Sequence, residues 1–284
     1  MNNSIAFIFC YARSGGTFLN RFLSNIDSLV VLSEVHPIHN KKGGIYSVKE
    51  QAKEWYGIDV KSEDYLEQIK EVKRWCDENN KHLVIRDWSY IDFTKSYLNN
   101  NKPIYQSTNL LLLEKCFNVN KIAFIRDAID ICLSQNLKPS DFSFDYLQFT
   151  QYIVKNNIKF FKYESFRDNP LDVYNKIALE LKIPLLNSLK ADMFASQNVV
   201  GDLNLSRGNV STDVVKLKRR YASKNLQKLI NDDKYLNNAN KLFGYSSIYE
   251  SIDSEVFREF IIFKIRKIIS KSYKIIKKLK NVFH

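Results

Sequence analysis

The sequence predicts an α/β fold of three layers, α-β-α, around a mainly parallel central sheet, with a basic amphipathic helix appended at the C-terminal end. Three observations predict it. Short, unbroken apolar runs recur along the chain, each suited to a buried strand. Segments with apolar residues at helical spacing separate those runs, and strands alternating with helices imply a parallel sheet covered on both faces. The first run feeds a glycine-containing loop that opens directly into such a helical segment.

The first run is SIAFIF at 4–9. Phe18, Leu19, Phe22 and Leu23 then stand at helical spacing within 17–24. SLVVLS at 28–33 reads as the second strand. The stretch 41–57 is polar, carries a glycine pair and reads as an excursion. Ser62, ahead of Glu63 and Asp64, caps a periodic run that reaches Asn79. HLVI at 82–85 is the third strand, and 107–117 is helical. KIAFI at 121–125 is the fourth strand, followed by a helix over 127–137. The segment 141–156 is aromatic-rich and helical. Its Phe142, Phe144, Tyr146, Phe149 and Tyr152 could line an acceptor pocket, but core is the favoured reading. IKFFK at 158–162 is the fifth strand, and a helix follows from Pro170 to Leu181. After Pro184 the strand signal fades, 190–213 is loop-rich and 213–243 closes the domain with helices.

The chain has 284 residues, which suits one large domain, placed at 1–250, with 251–284 as a separate tail. Apolar residues make up 45% and charged residues 26%, ordinary values that exclude compositional disorder. The formal charge of +12 favours anionic partners without choosing among them. Cys10, Cys76, Cys116 and Cys132 are widely spaced with no C-x-x-C pair, so neither a disulfide framework nor a zinc site is expected. The apolar stretch 5–10 is too short for a signal-peptide core, and no segment has the length of a membrane span. A cytoplasmic setting is expected.

The loop 10–19 reads CYARSGGTFL. A glycine-containing turn between a strand and a helix presents backbone N–H groups and the positive helix end to a phosphate. Arg13 adds charge, and Ser14 and Thr17 add hydroxyls. The loop is not the G-x-x-x-x-G-K-S/T nucleotide loop, because Gly16 is followed by Thr17 with no lysine. A second anchor lies at 121–135, KIAFIRDAIDICLSQ. Arg126 ends the strand and Ser134 lies about two helical turns on, so both can face one phosphate at the carboxyl ends of the strands. Asp127 suits a helix cap.

Together these two segments resemble the family of sulfotransferases that use 3′-phosphoadenosine 5′-phosphosulfate (PAPS). The family's phosphosulfate loop, P-K/R-S-G-T-T-F/W-L, is similar to Ala12-Arg13-Ser14-Gly15-Gly16-Thr17-Phe18-Leu19. Its 3′-phosphate motif, V/Y-R-D/N-P-x-D-x-x-x-S, is similar to the ten residues from Ile125 to Ser134. Two weaker matches are the strand-to-helix segment Phe161-Lys162-Tyr163-Glu164-Ser165-Phe166 and the closing Phe243-Gly244-Tyr245. The resemblance spans about residues 4–245 and is closer to bacterial and carbohydrate-modifying members than to cytosolic aryl or steroid members. Gly16 stands where the family has a threonine, and Ala128 where it has a proline. The C-terminal clamp of the family has its best counterpart in Ser206-Arg207-Gly208.

The resemblance implies a P-loop-like fold, PAPS as donor and a metal-free reaction. It implies that Arg13, Ser14, Gly15, Gly16, Thr17 and Phe18, with Arg126, Ser134, Arg207 and Gly208, hold the donor. A general base must take a proton from the attacking hydroxyl. Carbohydrate-modifying members of the family often carry a catalytic glutamate just after the second strand, where Glu34 falls, so the resemblance implies Glu34 as the base. In the K-x-H stretch of many cytosolic members, Arg86 stands at the lysine and Trp88 at the histidine. Arg86 is expected to stabilise the bridging or leaving oxygen, with Asp87 and His36 in reserve for proton handling or acceptor binding. A helix-borne metal pair of His36 and His39 is excluded by Pro37 between them. A saccharide or lipid-linked glycan is the acceptor class this suggests. Two other readings stay open: a P-loop kinase, which the missing lysine weakens, and a non-catalytic nucleotide-binding protein of degenerate sulfotransferase fold.

From Ser254 to His284, isoleucines and lysines alternate at near-helical spacing. A basic amphipathic helix of this kind suits an anionic membrane surface, a partner or the packed face of its own domain. Membrane attachment would place the protein peripherally at the inner face of a membrane. No interleaved aromatic and basic pattern suggests nucleic acid. The oligomeric state is not legible.

Overall fold

A computed structural model describes residues 3–41, 44–95, 100, 102–135, 137–196, 198–200 and 219–249. Five strands form one sheet: β1 (Ser4–Cys10), β2 (Leu29–Val35), β3 (His82–Asp87), β4 (Asn118–Ile125) and β5 (Lys159–Lys162). Their order is β2-β3-β1-β4-β5, and every pairing is parallel. The expected mainly parallel sheet is thus wholly parallel among the described strands.

The alternation of side chains along a strand splits the core in two. Ala6, Ile8 and Cys10 face one layer, where α1 (Gly16–Leu23) lays down Leu19, Phe22 and Leu23, and α10 (Pro170–Leu181) lays down Tyr174, Ile177 and Leu181. Phe22 meets Phe166, Tyr174 and Phe194 there at ring-centroid distances of 5.2–5.4 Å. Truncating it to alanine would cost about 3–5 kcal/mol. Ile5, Phe7 and Phe9 face the opposite layer. That layer is built by α3 (Val48–Tyr56), α4 (Tyr65–Glu78), α7 (Ala128–Gln135), α8 (Ser143–Lys155) and α12 (Lys234–Leu242).

One consequence positions the site. Neighbouring strands β1 and β4 send their following helices, α1 and α7, to opposite faces of the sheet. A crevice opens between them at the carboxyl ends, which is where open α/β sheets take their ligands.

The structure corrects several local expectations. The polar stretch 41–57 is not a plain excursion: it holds a 3-10 turn at Gly44–Tyr46 and then α3. Its polar residues are bonding groups. Ser47 caps α3 by accepting from Glu50 N at 3.1 Å, and Gln51 bonds both Ser33 N and Ser33 O at 2.7 Å, covering an outer strand. Helix α4 is capped by Asp64, which accepts from Leu66 N and Glu67 N at 3.0 Å, while Ser62 caps the turn before it. The helix expected over 107–117 stops earlier, as α6 (Thr108–Leu113), because β4 begins at Asn118. The aromatic stretch is core: Phe142, Tyr146 and Phe149 are buried and Tyr152 packs against them, leaving Phe144 outside. Arg207, Gly208 and the whole tail 251–284 lie outside the described residues. No helix among the described residues is long and apolar enough to cross a membrane.

Candidate active site

The first loop turns sharply. Ser14 N donates to Tyr11 O at 3.1 Å, and both Arg13 (φ 69°) and Gly15 (φ 90°) adopt left-handed backbone. Gly15 is the N-cap of α1 and no side chain caps that end, so the first amides of the helix are donors for whatever binds there. Glycine is required at 15 on two counts. Its φ is one that side chains disfavour, and a Cβ there would fall 2.3 Å from Cδ2 of Tyr163.

That same tyrosine organises the second anchor. Tyr163 opens α9 (Tyr163–Asp168) at the end of β5, and the guanidinium of Arg126 lies over its ring, 4.8 Å from the centroid. Arg126 follows β4 directly. Its Nη1 donates to Arg13 O at 3.4 Å, and its Nε is buried with no hydrogen-bond partner among the described residues. Arg13 Nε in turn donates to Ser134 Oγ at 2.9 Å. Three residues expected from two separate motifs, Arg13, Arg126 and Ser134, therefore meet across the β1–β4 crevice.

This grip is braced from behind. Asp127 caps α7 by accepting from Ile129 N at 2.8 Å, and also accepts from Asn240 Nδ2 at 2.9 Å. Arg219 bridges Asp127 and Asp130, its Nε lying 3.0 Å from Asp130 Oδ1. Burial outweighs Arg219 and raises the Asp127 carboxyl above its ordinary value. Tyr146 Oη donates to Arg126 O at 2.9 Å. Arg220 sends Nη1 to the carbonyls of Leu133 and Ser134, at 3.5 and 3.4 Å, where the end of a helix favours positive charge. No carboxylate among the described residues is ion-paired with Arg126 or Arg220.

Other predicted donor residues take different places. Ser14 is fully buried, beside the Cys10 thiol, whose pKa burial pushes up to about 12. Gly16 is buried and Thr17 half-buried. Phe18 stacks face to face on Phe194 at 4.4 Å and edge-on to Tyr163 and Phe166, so it borders the hydrophobic layer under the loop.

At the ends of β2 and β3 a second constellation appears. Glu34 sits in a bulge between Ser33 and Val35, in left-handed backbone with φ 53°. For a glutamate that conformation is strained, and such strain gathers at functional positions. Its side chain is 19% exposed and its Oε1 accepts from Arg86 Nη1 at 3.1 Å. Arg86 itself is 2% exposed. Its Nε bonds Asn20 Oδ1 at 3.0 Å, and its Nη2 bonds Ser33 Oγ at 2.5 Å and Val200 O at 3.2 Å. The guanidinium is enclosed by protein acceptors and holds Glu34 in place.

Asp87 is fully buried, accepting from Ser89 Oγ and Asn109 Nδ2, both at 2.7 Å. Burial raises its pKa to about 6. His36 is also fully buried. Its Nδ1 caps α2 (Pro37–Asn40) by accepting from Ile38 N at 3.2 Å, and its Nε2 faces Asp92 and Thr108. Neither group presents an open atom to an acceptor; both are internal struts. Trp88 stacks on His39 at 3.9 Å, and His39 on Tyr46 at 4.1 Å. No group of His, Cys, Asp or Glu among the described residues is arranged to hold a metal ion.

Sequence reasoning missed Tyr163 as a working part of the site, and missed Arg219 and Arg220 altogether. The first stood in a matched segment without a role. The arginines lie about 90 residues from the helix they serve, and only their adjacency hints at them.

No protein-family model matches the chain, and no curated protein sequence matches it. Among solved structures it is similar to the sulfotransferase domain from the Synechococcus PCC 7002 olefin synthase. That likeness has a TM-score of 0.54 at 16% identity and covers 86% of this chain and 96% of that one. The mouse sulfotransferase SULT7A1 complexed with PAP aligns over 91% of this chain and 82% of its own, at 13% identity and a TM-score of 0.38, too loose to carry weight. The α/β architecture with its five parallel strands is thus the fold of a sulfotransferase domain.

Proposed function

We propose that the protein is a sulfotransferase that moves a sulfuryl group from PAPS to an acceptor hydroxyl. One observation carries the reading: Arg13, Arg126 and Ser134, drawn from two distant motifs, converge at the β1–β4 crevice beside the open end of α1. The residues fit an anion with two phosphate-like groups. The buried, unpartnered Nε of Arg126 and the first amides of α1 are donors awaiting acceptors.

Bound PAPS would supply an activated sulfuryl group on a phosphate leaving group. Arg13 and the amides of Gly15, Gly16 and Thr17 would stabilise charge on that phosphate, and Arg126 and Ser134 would grip the second one. Arg207 and Gly208 complete the donor site in this reading. Glu34 takes the proton of the attacking hydroxyl, and its carboxylate is aimed by Arg86. The base is therefore a carboxylate held by strain rather than a histidine. The acceptor is a saccharide or a lipid-linked glycan, and the tail from Ser254 to His284 would bring the enzyme to an anionic membrane surface. If a chain truncated after Glu250 bound anionic vesicles as well as the full chain, that last assignment would fail.

Calorimetry with adenosine 3′,5′-bisphosphate and with Mg-ATP tests the donor assignment. Metal-independent binding of the bisphosphate, lost in Arg126→Ala, is expected. Preference for Mg-ATP would instead favour a kinase. Binding of the bisphosphate without transfer of label from PAPS to any of a panel of saccharide and phenolic acceptors would favour the non-catalytic reading.

A further inference from the structure

The loop and the candidate base are linked by a single side chain, and the link depends on a residue having no side chain. An ideal Cβ on Gly16 would lie 2.9 Å from Arg86 Nη1, and 3.1 and 3.2 Å from Cys10 Sγ and Cβ. Nη1 is the same nitrogen that bonds Glu34. An arginine tip could normally step aside from a methyl group. This one is buried, and its other nitrogens are held by Asn20 on α1, Ser33 on β2 and the carbonyl of Val200. Moving it breaks bonds on three elements.

Its partners are themselves tied together. Ser33 Oγ, the acceptor of Arg86, also accepts from Val200 N at 2.9 Å, and Asn20 Nδ2 bonds Asn198 O at 2.8 Å. The guanidinium thus pins β2, β3, α1 and the segment 198–200 at one point beneath the loop. Glu34 occupies a bulge in left-handed backbone, a conformation that surrounding structure must enforce. Among the described residues Arg86 is the group ion-paired with it.

We propose that Arg86 is a positioning residue that couples the donor loop to the candidate base, and that glycine at 16 is the steric condition for it. The space a side chain at 16 would fill is occupied by the arginine tip. A displacement of the loop at 16 is transmitted through Nη1 to the Glu34 carboxylate. This rests on the sulfotransferase reading for the role of Glu34, but the coupling between positions 16 and 86 is a property of the fold alone.

A double-mutant cycle on the full chain separates the two. Gly16→Ala alone lowers Tm by about 5 °C, because Arg86 must leave its partners. In the Arg86→Lys background, where the colliding nitrogen is absent, the same change lowers Tm by less than half as much. The Cys10 contact sets the remainder. With labelled PAPS and an acceptor found by screening, Gly16→Ala lowers kcat about tenfold or more while KM for the donor changes less than threefold, and adding Arg86→Lys recovers part of kcat. Additive Tm losses, or a kcat loss that Arg86→Lys deepens, would overturn the coupling. Should Gly16→Ala fold poorly, Arg86→Lys alone decides: it must lower kcat with adenosine 3′,5′-bisphosphate affinity retained, and equal loss of both would count against the proposal. Failure of the unaltered chain to bind the bisphosphate would sink the sulfotransferase reading while leaving the Tm cycle to be read by itself.

Discussion

The two parts of the candidate site are built on opposite principles. On the proposed donor side, at β1 and β4, the buried Nε of Arg126 has no partner among the described residues, short loops set the backbone and the Tyr163 ring backs the Arg126 guanidinium. On the proposed acceptor side, at β2 and β3, Glu34, Arg86, Asp87 and His36 are locked in a buried network in which nearly every polar atom has a partner. In the proposed reading, a pocket for a multiply charged ligand leaves a buried arginine donor for the ligand to complete. A site that must aim one carboxylate keeps its supports closed, since a buried polar group left half-bonded costs about 1–3 kcal/mol.

The sharpest way to break this division is Glu34→Gln. Transfer should fall by about 10²–10⁴-fold with adenosine 3′,5′-bisphosphate affinity unchanged, measured by labelled PAPS assay beside calorimetry. Loss of both would show that the two halves are one unit. Next in size is Gly15→Ala, which forces a left-handed φ on a side chain and drives a methyl into Tyr163. A loss of about 3 kcal/mol in denaturant unfolding is expected, together with weaker bisphosphate binding because Tyr163 carries Arg126. Arg126→Ala should weaken the bisphosphate by about 10–100-fold and leave chemical denaturation nearly unmoved, since its guanidinium is not part of a closed network.

The smallest effect concerns the closed side. Asp87 is buried with its pKa raised to about 6, so the native state binds a proton that the unfolded chain releases near pH 4. Stability from this group is present at low pH and lost as pH rises through about 6. Asp87→Asn should flatten the Tm profile between about pH 4 and 6. An unchanged profile would mean that Asp87 is ionised throughout.

The donor side was legible because its signals are local. A short apolar run, a glycine turn and an arginine eight residues before a serine all lie within single β–α units. Backbone geometry within such a unit is nearly independent of the rest of the chain, so spacing together with the resemblance of the two motifs named Arg13, Arg126 and Ser134. Ser14, also named among the ligands, is buried beside the Cys10 thiol.

The chain's sequence by itself determined the layers, the five strands, the glycine-containing loop and the residues that meet it across one pair of strands, because hydrophobic period and turn chemistry are written residue by residue. Only the tertiary structure decided that Arg86 is a strut, that His36 and Asp87 face inward, that Tyr163, Arg219 and Arg220 belong to the site, and that position 16 must be empty. Each of those depends on which side chain fills a given volume or completes a given hydrogen bond. Such contacts join residues about 20 to 120 apart, and packing, not local pattern, chooses them.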